Sequence, residues 1–283
     1  MKVILAKTAG FCMGVQRAVD TTLKLAQEQE HIATFGPLIH NPQVLEQLRK
    51  KGVTVLNEIP EKKDGVIVVR AHGIPPQQKQ QLKTTGAKIH DATCPRVMNV
   101  QAIIRKYKKQ DFFTIIIGDK NHAEVIGLMG YAEPDVALVS DESNIVSLTI
   151  PSPYIIVSQT TQDEVKFNEL TEKILERFPG GKVFNTICDS THNRQAEVRE
   201  ICQKVDAMIV VGGKGSANTQ RLGQIAEEMN VPVFMVETKK DLELKEFDKF
   251  ERVGISAGAS TPTCVIDDIV CVLKEIAPIK GKH

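Results

Sequence analysis

Residues 112–122 read Phe-Phe-Thr-Ile-Ile-Ile-Gly-Asp-Lys-Asn-His. A short apolar, largely β-branched run that breaks at glycine predicts a strand buried on both faces. The polar residues after it predict a loop at the carboxyl end of that strand, leading into a helix. The same pattern recurs at 32–40, Ile-Ala-Thr-Phe-Gly-Pro-Leu-Ile-His, and at 207–218, Ala-Met-Ile-Val-Val-Gly-Gly-Lys-Gly-Ser-Ala-Asn.

Working outward, twelve such runs predict strands at 2–6, 32–36, 53–56, 66–70, 88–93, 112–118, 135–140, 154–159, 182–187, 207–213, 231–236 and 252–258. Helical patterns fill most gaps, as where Val198, Ile201, Cys202 and Val205 follow i, i+3, i+4, i+7 spacing. Strands alternating with helices predict an α/β fold with parallel sheets. The loop chemistry groups the strands in fours. After the strands starting at 32, 112 and 207 come His40, His122, and Ser216 with Asn218. Two strands later come His72, Thr160 and Ser260, and the next strand leads into Cys94 or Cys188. The third group runs out of strands, and 2–6, which leads into Cys12, is expected to supply its fourth. Repetition on this scale implies repeated α/β units, here 13–94, 95–187, and 188–275 joined by 1–12. Ligands gather at the carboxyl ends of parallel strands. Three sheets facing a common centre would bring three cysteines and six polar loops together. Any one such loop is rich in Gly, Ser and Asn for turns and caps alone; the threefold recurrence of cysteine is what marks chemistry.

The chain has 283 residues, with 36 Lys+Arg against 35 Asp+Glu and a net charge of +1. That balance gives no basic footprint for nucleic acid. Aromatics are 5% and Trp is absent, so the core must be aliphatic. No apolar run approaches a membrane span or a signal-peptide core, and a cytoplasmic protein is expected. Six cysteines at this length are too few for a disulfide scaffold. Cys12, Cys94 and Cys188 each sit between a strand and a helix, where a helix N-terminus favours the thiolate, the metal-binding form. Cys202, Cys264 and Cys271 are expected in the core. Three thiolates fit a catalytic zinc with one open place, or a cubane iron–sulfur cluster with one iron open to substrate.

His40, His72, His122, Ser216, Asn218 and Ser260 would together make a hydrogen-bonding cup for an anion such as a diphosphate, aided by helix N-termini. No P-loop string is present. Glu124, two residues after His122, suits a general acid, although a first-turn glutamate also complements a helix dipole. Thr160 could orient its proton or simply cap a helix, and Thr191 and Asn193 are candidate donors near Cys188. His31, His90, His192 and His283 are expected to be surface or loop residues. These residues alone leave open an iron–sulfur enzyme, a zinc hydrolase of phosphorylated substrates with Glu124 as base, and a phosphate-ligand sensor.

Several strings together resemble one family. They are Gly-Phe-Cys12-Met-Gly-Val-Gln-Arg-Ala, Gly-Pro-Leu-Ile-His40-Asn-Pro, Arg-Ala-His72-Gly, Asp-Ala-Thr-Cys94-Pro and His122-Ala-Glu124-Val. Gln159-Thr160-Thr161, Thr-Ile-Cys188, Asn193-Arg-Gln, Ser216-Ala-Asn218-Thr and Ala-Gly-Ala-Ser260-Thr-Pro continue the series in order. The family is the IspH/LytB family of 4-hydroxy-3-methylbut-2-enyl diphosphate reductases. The resemblance implies three pseudo-threefold-related α/β modules, each with a mainly parallel four-stranded sheet, around a central iron–sulfur cluster. It implies a 4Fe–4S cluster on Cys12, Cys94 and Cys188, with an apical iron that binds the substrate hydroxyl and is lost in 3Fe–4S preparations. It implies diphosphate contacts from His40, His72, His122, Ser216, Asn218 and Ser260, and a proton source in Glu124 assisted by Thr160. Ala217 stands where some members have serine, so only a backbone N–H serves there. The resemblance further implies an allylic diphosphate substrate, an external electron donor such as ferredoxin or flavodoxin, and a monomer or weak dimer.

Overall fold

The computed structural model describes residues 1–275. All twelve expected strands are present. They are β1 (Lys2–Leu5), β2 (Ile32–Phe35), β3 (Thr54–Leu56), β4 (Val66–Val69), β5 (Lys88–Asp91) and β6 (Phe113–Ile117). The rest are β7 (Val136–Val139), β8 (Tyr154–Ser158), β9 (Lys182–Phe184), β10 (Ala207–Val211), β11 (Val233–Val236) and β12 (Arg252–Ala257). They form three four-stranded sheets ordered β3-β2-β4-β5, β7-β6-β8-β9 and β11-β10-β12-β1. Every neighbouring pair is parallel.

Each quartet has the order second, first, third, fourth. The first and third strands are therefore central, and β4, β8 and β10 are buried along their whole length. The edge strands β3, β5 and β9 are not. Helices cover both faces of a parallel sheet, which is why the central strands are rich in Ile and Val, as in β4, β8 and β10. Between the first and third strands the winding direction reverses. Their carboxyl ends flank the crevice where such sheets take ligands. The six polar loops singled out in the sequence leave these two strands in each quartet.

The described chain folds as two compact units. The smaller comprises Met1–Met13, His40–Val44 and the chain from Asp189 onward. It holds the sheet in which β1 lies against β12, with Lys2 beside Arg252, so the first strand does complete the last quartet. Alternate residues of a strand face opposite sides. Ile209, Val211 and Ile255 pack on Ile266, Ile269 and Leu273 of the helix Thr263–Lys274. Met208 and Val210 pack on Val198, Ile201 and Cys202 of the helix Asp189–Cys202, and on Leu222 and Ile225 of the helix Ala217–Glu228. Each such side chain contributes about 1.5–3 kcal/mol on full burial.

The larger unit comprises Gly14–Ile39 and Leu45–Cys188 and holds the other two sheets. Ile116, Ile155 and Val157 pack on Val100 and Ile104 of the helix Pro95–Lys108 and on Val125 and Leu128 of the helix Ala123–Ala132. Ile115, Ile117 and Ile156 face Phe167, Leu170 and Ile174 of the helix Glu164–Arg177.

Cys202 is buried as expected, but Cys264 and Cys271 are exposed. Seven residues apart, they do share a helix face. The buried face is the one carrying Ile266, Ile269 and Leu273, and Cys264 points about 200° around the axis from Ile266. His90 lies within β5 and is half-buried, and His283 lies outside the described residues. No described helix is long and apolar enough to cross a membrane.

Candidate active site

Each of the three candidate ligand cysteines immediately precedes a helix: Cys12 before Met13–Glu28, Cys94 before Pro95–Lys108, Cys188 before Asp189–Cys202. The residue just ahead of a helix meets its free N–H groups and positive dipole end, which favours a thiolate. Each cysteine is fixed by the same backbone bond. Cys12 N–H donates to Ala259 O at 3.0 Å, Cys94 N–H to Ala71 O at 2.9 Å, and Cys188 N–H to Thr160 O at 3.0 Å. All three acceptors follow the third strand of their quartet. The repeat seen in the sequence thus extends to single hydrogen bonds: the loop after the third strand holds both a candidate polar site residue and the carbonyl that sets the cysteine.

In the larger unit, Asp91 at the end of β5 accepts from Thr93 N–H at 3.0 Å and from Lys79 Nζ at 2.5 Å, which stiffens the approach to Cys94. A side chain on Gly14 would put its Cβ 2.4 Å from Cys94 Sγ, so only glycine leaves room for that sulfur.

His122 caps the helix Ala123–Ala132, its Nδ1 accepting Glu124 N–H at 3.2 Å. An accepting Nδ1 places the neutral ring's proton on Nε2. The His72 ring stands edge-on to it, with centroids 5.4 Å apart. Glu124 does lie in the first helical turn, yet it is only 2% exposed and is not a surface dipole partner. Its carboxylate accepts Thr160 N–H at 2.6 Å and the Thr160 hydroxyl at 2.8 Å. Burial raises the Glu124 carboxyl from 4.5 to about 7, against the pull of those two bonds and with help from the charge of Asp119. Gln159 ties the two loops together, accepting Asp119 N–H at 2.8 Å and donating to Thr161 Oγ1 at 2.8 Å. A carboxyl that exchanges its proton near neutrality, held in place by a neighbouring hydroxyl, has the attributes of a general acid.

In the smaller unit, His40 O accepts from Ser260 Oγ at 3.3 Å. A Cβ on Gly213 would come within 2.5 Å of that same carbonyl, so the glycine lets the loop after β10 approach His40. Ser216 caps the helix Ala217–Glu228. Asn218, in the first turn of that helix, is 4% exposed, yet neither amide atom has a hydrogen-bond partner among the described residues. A buried unsatisfied amide costs stability, which points to a ligand that would satisfy it.

Thr191 is buried, but Asn193 is exposed. Its neighbour Arg194 is buried, its Nη2 reaching Gly10 O at 2.6 Å, two residues before Cys12, and its Nη1 bonding Ser190. Arg17 does the same in the larger unit, its Nη1 bonding Thr93 O at 3.2 Å beside Cys94. Both arginines stand in the quoted strings, but nothing local in the sequence signals contacts of such long range.

Three cysteine thiolates would offer sulfur alone, a donor set that selects zinc or an iron–sulfur cluster over hard cations. Three cysteines at helix N-termini, none fully buried, with a glycine making room for one sulfur, fit a thiolate-ligated metal group.

The sequence matches the LytB protein family over residues 3–274. It is 41% identical to the 4-hydroxy-3-methylbut-2-enyl diphosphate reductase of Treponema denticola, over 95% of this chain and 98% of that one. It is 39% identical to the protein of the same name from Aquifex aeolicus, over 97% and 96%. Among solved structures, the E-1-hydroxy-2-methyl-but-2-enyl-4-diphosphate reductase of Plasmodium falciparum superposes with a TM-score of 0.94 at 28% identity, covering 100% of this chain and 92% of that one. A second, described as the terminal enzyme of the non-mevalonate pathway, gives a TM-score of 0.71 at 39% identity, covering 98% and 100%.

Proposed function

Since the chain belongs to the LytB protein family, we propose that it is a 4-hydroxy-3-methylbut-2-enyl diphosphate reductase. It converts the (E)-4-hydroxy substrate to isopentenyl and dimethylallyl diphosphate, the terminal step of the non-mevalonate pathway. The terminal C–O bond breaks, its oxygen leaves as water, and two electrons and two protons are consumed.

Cys12, Cys94 and Cys188 hold a 4Fe–4S cluster, which when bound supplies electron relay and Lewis acidity toward the substrate hydroxyl. His72 and His122 from the larger unit, with His40, Ser216, Asn218 and Ser260 from the smaller, hold the diphosphate. The Asn218 amide gains the partner it lacks among the described residues. Glu124 carries the proton that lets the hydroxyl depart as water, and Thr160 keeps that carboxyl aimed. The second proton goes to either end of the allylic carbons, giving the two products, and the bound diphosphate is its source. Both electrons come from an external carrier.

The observation that carries this reading is Glu124. It is a buried carboxyl with a pKa of about 7, bonded to the same Thr160 whose carbonyl sets Cys188. Anaerobic iron and sulfide analysis with a reduced-viologen turnover assay tests it. The expected protein is brown, contains about four irons per chain and turns over. A colourless protein with about one zinc per chain, or an iron-loaded protein without turnover, overturns the reading.

A further inference from the structure

The larger unit has a groove of about 1100 Å³ between the helices Pro76–Thr84 and Pro95–Lys108. Lys79, Lys83, Arg105, Lys108 and Lys109 line it, with Tyr131 among its apolar surface, and none of its lining residues is acidic. Five cations in one groove are notable in a chain whose net charge is only +1. Cations in the last turn of a helix complement its dipole, which accounts for Lys83, Arg105 and Lys108 one at a time. It does not account for cations of two helices sharing one groove whose lining holds no carboxylate, with Lys79 alone paired, to Asp91 behind the lining.

The groove is coupled to a candidate cluster ligand. Lys79 Nζ bonds Asp91 Oδ2 at 2.5 Å, and Asp91 Oδ1 accepts Thr93 N–H at 3.0 Å. Thr93 is bonded covalently to Cys94. From the rim of the groove to that cysteine there is one ion pair, one hydrogen bond and one peptide bond.

We infer that this groove is the docking surface for the acidic face of a small one-electron carrier protein, with Lys79–Asp91–Thr93 as the contact nearest Cys94. The inference rests on the reductase function proposed above, which needs two electrons from outside. Electron-transfer encounters are small and transient, bury less than about 1,200 Å², and depend on charge complementarity for their rate. A groove lined by five cations and no acidic residue, with only Lys79 paired to a carboxylate behind it, suits such an encounter better than an apolar interface would.

The test is the double charge reversal Lys83→Glu/Lys109→Glu, both residues being exposed. Lys240→Glu/Lys245→Glu, also exposed, makes the same change in net charge elsewhere. The loaded enzyme is assayed with a reduced acidic 2Fe–2S carrier and, separately, with reduced methyl viologen, which needs no docking. Groove reversal is expected to raise KM for the carrier about tenfold at low salt and leave viologen turnover unchanged. The control pair changes neither, and the difference fades as ionic strength rises. An unchanged carrier KM, or an equal rise in the control pair, overturns the docking surface. Absence of viologen turnover in the unaltered enzyme overturns the reductase reading instead. Carrier binding followed by fluorescence anisotropy then still decides the groove, because reversal must weaken it with or without turnover. Binding of a nucleic-acid oligomer in preference to the carrier also overturns the inference.

Discussion

Glu124→Gln gives the sharpest test of the buried acid, because its effect on stability has a defined sign and window. An unfolded glutamate ionises near 4.5, whereas the folded one does so near 7. Below 4.5 both states are protonated and the carboxyl costs nothing. Between 4.5 and about 7 the unfolded chain ionises while the folded one resists, so stability falls as pH rises. Above about 7 the full penalty is present. At 1.36 kcal/mol per pKa unit it is about 3 kcal/mol. Glutamine has nearly the same shape, can accept Thr160 N–H and never ionises. Urea unfolding of the reduced apo-protein should show the variant gaining about 3 kcal/mol on the unaltered protein between pH 4.5 and pH 8.5. All other titrations cancel in the difference. A stability difference that stays flat over that range would refute the assignment of a raised pKa to Glu124. In the loaded enzyme the same variant should keep its iron and lose turnover by at least about a hundredfold.

Asn218→Ala should leave apo-protein stability unchanged or slightly higher, since it removes an unsatisfied buried amide. It should weaken inorganic diphosphate binding about tenfold in calorimetric titration. A large stability loss without a binding change would make Asn218 structural. Gly14→Ala drives a methyl against Cys94 Sγ. The variant should fold, by circular dichroism, yet bind substoichiometric iron. Cys12→Ser should lose iron, whereas Cys202→Ala should keep all of it while losing some stability to the small cavity left behind. Iron loss in the Cys202 variant alone would reverse the division of the cysteines.

Fold order was legible because central parallel strands cannot hide. With both faces covered they must be largely apolar runs, as β10 is throughout and β6 is but for Thr114. Strand ends were less legible, since side chains take over the ladder there. β9 stops at Phe184, where Thr186 Oγ1 accepts Ser158 N–H at 2.8 Å and donates to Ser158 O at 2.6 Å. β11 begins at Val233, after Pro232, which has no N–H to give. The Glu124–Thr160 pair could be suspected but not placed, because 36 residues separate its members. Arg17 and Arg194 escaped notice for the same reason. Cys264 and Cys271 were misplaced because a largely apolar helix leaves its buried face undecided until the sheet beneath it is known.

The pairing of β1 with β12 has a consequence for biogenesis. Lys2 meets Arg252 only after roughly 250 further residues have been made, which at 5–20 residues per second takes about 10–50 s. Through that interval the first strand has no partner, and the carbonyl of Ala259 that sets Cys12 does not yet exist. Ala71 and Thr160, which set Cys94 and Cys188, precede their cysteines in the chain and are already in place as each one emerges. On the cluster assignment proposed above, metal loading on the ribosome would therefore meet two prepared thiols at most. A chain ending before Arg252 would still contain all three cysteines, yet it would never acquire the third site.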